Sequence, residues 1–251
     1  MELRDFFAAH PRAALAFSGG ADSSYLLYAG LRWAEKLGVY YVQSAFQPEF
    51  ERRDALRLAE GLGAKVTMLE ADVLSCAAVT ANPPDRCYYC KRVIMSTIKA
   101  AAKADGFDLV LDGTNASDDI SDRPGFKALG EEGVLSPLRL CGLTKAHIRQ
   151  LSREAGLLTW DKPAYACLAT RVKTGEPITA EILQAVEKSE DALFSLGFSD
   201  FRVRTSEGRA RLQFIPEQMP EAQRRFDEIQ RLLGPYFTQI EIDPVGREKS
   251  Q

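Results

Sequence analysis

The heptapeptide Ser18-Gly19-Gly20-Ala21-Asp22-Ser23-Ser24 sets two glycines, one acid and three hydroxyls directly behind the apolar run at 13–17. A strand that feeds glycines and then a helix exposes several backbone N–H groups at the positive end of a helix dipole, and that combination cradles phosphate. The spacing is not that of a Walker loop, and no lysine follows the second glycine to reach a terminal phosphate. Hydrolysis of a γ-phosphate is therefore not the expected chemistry. A glycine-rich turn with capping serines is the plainer alternative. Asp22 suits either a helix cap or a magnesium ligand, and the sequence leaves both open. A second polar segment, LDGTNASDD at 111–119, follows the apolar run at 109–112. Ligands of open α/β sheets collect at the carboxyl ends of strands, so Asp112, Gly113, Thr114, Asn115 and Asp118 are expected to face the same crevice as the glycines.

Thiols supply the other candidate chemistry. Cys87-Tyr88-Tyr89-Cys90 presents two sulfurs to one metal, and such a pair serves half of a zinc site, a redox disulfide or part of an iron–sulfur cluster. Structural zinc needs a fourth ligand from Cys76, Cys141, His10 or His147, beyond Cys167. Cys167 lies in KPAYACLATRV at 162–172, four residues before Arg171. On its own it reads first as a small buried hydrophobe, the usual state of a free cysteine. Further cations recur at period two, Arg202 with Arg204 and Arg209 with Arg211, each pair on one face of a strand. Like charges facing each other across a hairpin repel unless an anion lies between them; a solvated charged face is the alternative.

These residues need a scaffold, and the hydrophobic pattern supplies one. Strand-like runs at 13–17, 39–45, 64–69 and 109–112 alternate with helical spacing at 23–37, 49–62, 91–103 and 143–155, the last capped by Thr144 and ended by Gly156. This is the pattern of a parallel, doubly wound α/β sheet. Past 161–179 the order becomes helix 180–196, strands 201–205 and 209–214 joined by a Gly-containing hairpin at 206–208, helix 220–233 and strand 237–242. A small α+β domain is expected there, with a boundary near Gly175 that divides the chain into 1–175 and 176–251.

The 251 residues, 45% hydrophobic, suffice for a real core. Thirty-two basic against 35 acidic residues leave a net charge of −3, which recruits neither nucleic acid nor an anionic membrane. No stretch approaches the roughly 18 apolar residues of a membrane span, and no basic stretch followed by a long apolar run opens the sequence. Five cysteines, an odd number in a chain too large to need staples, fit a reducing compartment. A cytoplasmic location is the expectation.

SGGADSS resembles the PP-loop, Ser-Gly-Gly-x-Asp-Ser, of the ATP pyrophosphatases, and Gly113-Thr114-Asn115 is similar to a segment found in that superfamily. With KPAYACLATR added, the sequence from about residue 13 through the last strands resembles the LarE family of ATP-dependent sulfur transferases, which make the thiocarboxylates of a nickel-pincer nucleotide cofactor. The resemblance implies an adenine nucleotide α-hydrolase-like fold that binds ATP and Mg²⁺ at Ser18, Gly19, Gly20, Asp22, Ser23 and Ser24 with Gly113, Thr114 and Asn115. It implies adenylation of a carboxylate of pyridinium-3,5-dicarboxylate mononucleotide with release of pyrophosphate. It gives Cys167 the sulfur position and Arg202 and Arg204 the substrate phosphate; the chemistry needs cations near the phosphates and adenylate, for which Arg171, four residues after the cysteine, is the nearby candidate, with Asp22 as the catalytic acidic residue of the loop. Members with a Cys-x-x-Cys pair hold a [4Fe-4S] cluster on three cysteines, matched here by Cys87, Cys90 and Cys167; others spend the matching cysteine once. A homohexamer and a sulfur donor are implied as partners, a membrane is not, and nucleic acid is disfavoured. The competing readings are a tRNA thiolase, which needs a broad basic face, and a nucleotide- or iron–sulfur-binding module without turnover.

Overall fold

Ala13, Ala14 and Leu15 have no exposed surface, which follows from where their strand lies. A strand flanked on both edges by parallel partners and covered on both faces must be apolar throughout. The computed structural model describes residues 1–119 and 124–248. In chain order these form α1 (Leu3–Ala9), β1 (Arg12–Ala16), α2 (Ala21–Trp33), β2 (Lys36–Gln43), α3 (Glu49–Gly61), β3 (Val66–Glu70), α4 (Ala77–Thr80), α5 (Arg86–Ala104), β4 (Val110–Leu111), α6 (Pro124–Glu131), α7 (Pro137–Leu140) and α8 (Lys145–Glu154). They continue with α9 (Ala180–Ser195), β5 (Arg202–Ser206), β6 (Arg209–Gln213), α10 (Met219–Arg224), α11 (Phe226–Leu233) and β7 (Gln239–Ile242). No helix among the described residues is long and apolar enough to cross a membrane.

The chain divides into two compact units, Met1–Cys76 with Asp85–Lys162, and Ala77–Pro84 with the chain from Pro163 onward. The sequence places its boundary near Gly175; in the structure the division falls twelve residues earlier, and the short piece at 77–84 belongs with the later chain. In the first unit the strands run in the order β3-β2-β1-β4 and every pairing is parallel. Odd-numbered strand residues Leu15, Val39 and Tyr41 join a core with Phe6 and Phe7 of α1, Leu26 and Leu27 of α2, Ala55 and Ala59 of α3, and Ile148 of α8. Even-numbered Tyr40 turns to the opposite face, where its ring meets Phe107 edge-on and its hydroxyl donates to Asp105 at the end of α5. Helices thus cover both faces, the doubly wound arrangement expected. The order 3-2-1-4 reverses direction at β1, so the topological switch point lies between the carboxyl ends of β1 and β4.

The second unit holds a three-stranded sheet in the order β5-β6-β7, antiparallel then parallel. Its hairpin turns on Glu207 (φ 51°) and Gly208 (φ 73°), two left-handed residues that match the right-handed twist of the flanking strands. Phe198, Phe201 and Phe214 stack in the core with centroids 4.9 and 5.9 Å apart. The piece at 77–84 is clasped to this unit by Asn82, whose side chain donates to the carbonyls of Lys173 (2.9 Å) and Glu176 (3.1 Å).

Several elements differ from the sequence reading. α5 begins at Arg86, so the cysteine pair lies inside its first turns rather than before the helix. The helix expected over 220–233 is two helices, broken at Arg225 (φ −100°, ψ 17°). The amphipathic α1 and α6 were not foreseen, because short helices carry too few turns for a clear period.

Candidate functional site

In the first unit the two polar segments meet at the switch point. Gly19 follows β1 in the left-handed region (φ +75°), and a Cβ there would lie 2.4 Å from that of Ala55 on α3, so two independent constraints demand glycine. The loop closes on itself through Ser23: its hydroxyl receives the Ser18 N–H (3.3 Å), donates to the Gly20 carbonyl (3.2 Å) and lies 3.0 Å from the Ser18 hydroxyl. Gly20 is the N-cap of α2, and the first N–H groups of a helix have no carbonyl to bond within it. Ser18 is exposed and Gly20 half-buried, so this donor-rich end opens to solvent. Ser24 lies one turn deeper, and its hydroxyl is buried without a hydrogen-bond partner.

The second segment comes to the same point. A Cβ on Gly113 would stand 2.9 Å from the backbone nitrogen of Ser23, so glycine lets the end of β4 approach the start of α2. Asp112 is buried and accepts from the hydroxyls of Thr114 (2.6 Å) and Ser136 (2.5 Å). Asn115 accepts from the Ser117 N–H, its own N–H donates to Asp118, and Arg139 donates to the Asn115 and Asp118 carbonyls. The side chain of Asn115 reaches across to donate to Asp22 at 3.3 Å. Asp22 does not cap α2: it is the helix's second residue, and both its oxygens accept from Lys145 Nζ at 2.9 Å. Of the two roles open to Asp22 in the sequence, the cap is thereby excluded. Lys145, Arg139 and Ser136 belong to this site and were missed.

Cys87 and Cys90 stand one turn apart in the opening of α5, Cys87 exposed and Cys90 half-buried. Arg86 donates to the Cys87 sulfur at 3.9 Å. A helix N-terminus stabilises thiolates, and an i, i+3 pair presents both sulfurs on one side. Among the described residues, no group of three or more His, Cys, Asp or Glu side chains is gathered to hold a metal ion.

In the second unit Cys167 precedes a 3₁₀ turn, Leu168–Arg171, and its carbonyl receives both the N–H (2.9 Å) and the hydroxyl (2.8 Å) of Thr170. Beneath this turn lies a buried charge network. Arg171, 1% exposed, donates to both oxygens of Glu190 (2.8 and 3.2 Å), and its remaining nitrogen donates to the Ala166 carbonyl and the Thr170 hydroxyl, each at 2.9 Å. The Tyr165 hydroxyl and the Val203 N–H complete the shell of Glu190. Burial, then the Glu190 charge, pushes the Tyr165 hydroxyl far above the ordinary tyrosine range, so it remains a donor.

Arg202 and Arg204 join the same loop. Arg202 is buried against the Tyr165 ring and donates to the Ala164 carbonyl at 3.2 Å; Arg204 donates to the Thr170 carbonyl at 2.5 Å. Burial, with Arg171 and Arg247 nearby, lowers the Arg202 pKa to about 10, and Arg204 is lowered for the same leading reason. Arg171 pairs with Glu190, and Arg202 and Arg247 both approach Asp200, while Arg204 donates to Gln213 and to the Thr170 carbonyl. The other arginine pair does not gather here. Arg211 stands opposite Arg204 in the hairpin but is held by Glu241 (3.3 Å) and Asp243 (3.4 Å), so protein carboxylates relieve the expected repulsion. Arg209 pairs in register with Ser206 at the turn.

No family model matches the chain. An uncharacterized protein of Synechocystis sp. is 37% identical over 221 residues, covering 87% of this chain and 82% of that protein. Pyridinium-3,5-bisthiocarboxylic acid mononucleotide synthase of Lactiplantibacillus plantarum is 36% identical over 208 residues, 82% of this chain and 75% of the synthase. An uncharacterized protein of Methanocaldococcus jannaschii is 28% identical over 190 residues, 76% of this chain and 72% of its own.

Proposed function

Since this chain belongs to the LarE family, that of pyridinium-3,5-bisthiocarboxylic acid mononucleotide synthase, we propose that it is a sulfur transferase acting on a pyridinium dicarboxylate mononucleotide. The observation that carries the reading is the likeness to that synthase over 82% of the chain, and the glycine loop and the segment at 112–115 at one switch point support an ATP-dependent route. A carboxylate is a poor electrophile because oxide would have to leave. Its attack on the α-phosphorus of MgATP breaks the bond to the β-phosphate, releases pyrophosphate and leaves an acyl-adenylate. Attack of sulfur on the acyl carbon then expels AMP and leaves a thiocarboxylate.

The chain's own residues do three things in this scheme. Backbone N–H groups at Gly19, Gly20 and the start of α2, with the Ser18 and Ser23 hydroxyls, receive the phosphates, and Asp22 turns a carboxylate to the magnesium ion. Arg202 and Arg204 take the phosphate of the mononucleotide, whose negative charge offsets the burial of these two guanidinium groups. Arg171, committed to Glu190, Ala166 and Thr170, holds the Cys167 turn in place instead of touching phosphate.

Cys87 and Cys90, one helical turn apart with Cys87 exposed, suit two ligands of a [4Fe-4S] cluster, and the resemblance to cluster-bearing relatives would make Cys167 the third. Such a cluster supplies an iron free of protein ligands, at which an exchangeable sulfide can be carried. The experiment is anaerobic incubation with ATP and the dicarboxylate mononucleotide, read by mass spectrometry. Thiolated product with AMP and pyrophosphate in equal amounts is expected. Product-free ATP consumption, or none, would sink the transferase reading.

A further inference from the structure

The glycine loop has no lysine of its own, yet a lysine stands at it. Lys145 is the first residue of α8, 123 positions from Asp22 in the chain, and its ammonium lies 2.9 Å from both Asp22 oxygens. Its placement works against local stability. A cation in the first turn of a helix meets the positive end of the dipole, at a cost of about 0.3–1 kcal/mol, and Asp22 itself already sits at the favourable end of α2. The pair is partly exposed, 31% and 21% at the two side chains, where ion pairs contribute about 1 kcal/mol or less. The position is nonetheless built. Thr144 caps α8 by accepting from His147, the Lys145 N–H donates to Ser117 at 3.0 Å, and Asn115, two residues before Ser117, shares the Asp22 carboxylate. Three segments converge to hold one ammonium beside the loop.

We propose that Lys145 neutralises Asp22 in the nucleotide-free protein and moves onto the phosphate oxygens of the nucleotide when MgATP binds, releasing the Asp22 carboxylate to magnesium. The inference rests on the ATP reading above. An unpaired carboxylate in a phosphate cradle would repel the incoming anion, and the ammonium removes that repulsion. Magnesium then replaces it on Asp22, and the flexible four-carbon stem of lysine lets the same charge follow the phosphates. The cation that a Walker loop carries inside its own segment is here delivered by a distant helix.

Calorimetric titration of the full-length protein with ATP, pyrophosphate and adenosine, at several magnesium concentrations, tests this with no demand on turnover. In Lys145→Met, ATP and pyrophosphate affinity should fall at least tenfold and adenosine affinity should stay within twofold. The magnesium concentration for half-maximal effect should also fall, since no ammonium competes for Asp22. Binding of all three ligands within twofold of wild type, or an equal loss for adenosine, would overturn the exchange. Lys145→Gln, which keeps a donor near Asp22 without the charge, is judged by the same criteria should the methionine variant fail to fold. Wild-type protein that binds no ATP would overturn the nucleotide site and the exchange together, whereas normal wild-type binding with an indifferent Lys145 would overturn the exchange alone.

Discussion

Glu190 is 2% exposed and accepts four hydrogen bonds from Arg171, Tyr165 and Val203. Removing one partner of a buried ion pair strands the other, at roughly 3–5 kcal/mol. Glu190→Gln, which keeps the shape, is expected at the low end, about 3 kcal/mol by urea unfolding, and sulfur transfer should fall with it because the Cys167 turn loses its brace. Gly19→Ala tests the other unit: the left-handed backbone and the Ala55 contact should together cost about 1–3 kcal/mol and abolish ATP binding in calorimetry. Arg202 gives a test with a sign in pH. Its pKa is depressed, so its charged form is disfavoured by folding. Its contribution to stability is greatest at very alkaline pH and is lost as pH falls through about 10, leaving a fixed cost at neutrality that a bound anion offsets. A phosphate monoester at ten times its dissociation constant should therefore stabilise wild-type protein by about 1.4 kcal/mol in thermal unfolding, and Arg202→Met should lose that increment. The monoester should bind more weakly as pH rises through about 10. The glycines were legible in sequence because a strand-to-helix turn needs the left-handed φ of Gly19 and the close approach that Gly19 and Gly113 permit. Lys145 was not, because nothing local joins it to a carboxylate 123 positions away; the one hint was a cation at the wrong end of a capped helix.

At the scale of elements, α8 exists to aim that lysine as much as to fill the core. Ile148 is buried in the core as α8 packs on α2, and the cap at Thr144 fixes where the helix begins. Thr144→Ala should cost about 1 kcal/mol of stability. It should weaken ATP binding less than Lys145→Met does, since the charge remains and only its anchorage loosens. Equal losses would mean that the helix start, and not the ammonium, matters to the nucleotide. This element was readable in full, cap and stop included, because ten residues of strong helical period lie between Thr144 and a left-handed Gly156. The strands were readable too, since β1 and β2 are apolar on both faces. α5 was placed five residues late: Asp85-Arg86-Cys87-Tyr88-Tyr89 offers no apolar period and no side-chain cap. That error had chemical weight, for it left the thiols in a loop when they occupy helical positions. The break at Arg225 was hidden for the opposite reason, a continuous amphipathic pattern that tertiary packing interrupts.

Across the whole molecule, a net charge of −3 coexists with the arginines Arg171, Arg202 and Arg204 gathered at the 164–171 loop, a local clustering that bulk composition does not show. The chain passes between its units at 76/77, 84/85 and 162/163, and neither the short clasp at 77–84 nor the early crossing at 162 changes composition enough to show in sequence. The clasp depends on Asn82, whose φ of 53° and two carbonyl contacts only a short polar side chain reconciles. The three thiols proposed for the cluster, Cys87, Cys90 and Cys167, are far apart in the sequence, so the proposal is tested on the full chain. After anaerobic reconstitution with iron and sulfide, wild-type protein should carry about four irons per chain and absorb in the visible, as a [4Fe-4S] centre does. Cys87→Ala, Cys90→Ala and Cys167→Ala should each lose most of the iron, because a cubane missing one of three protein thiolates is poorly held, while Cys76→Ala and Cys141→Ala should keep it. If Cys167→Ala retains its iron, the third ligand lies elsewhere. If wild-type protein takes up no iron and instead loses one sulfur and two hydrogens at Cys167 on turnover, the cysteine itself is the sulfur donor and each molecule acts once.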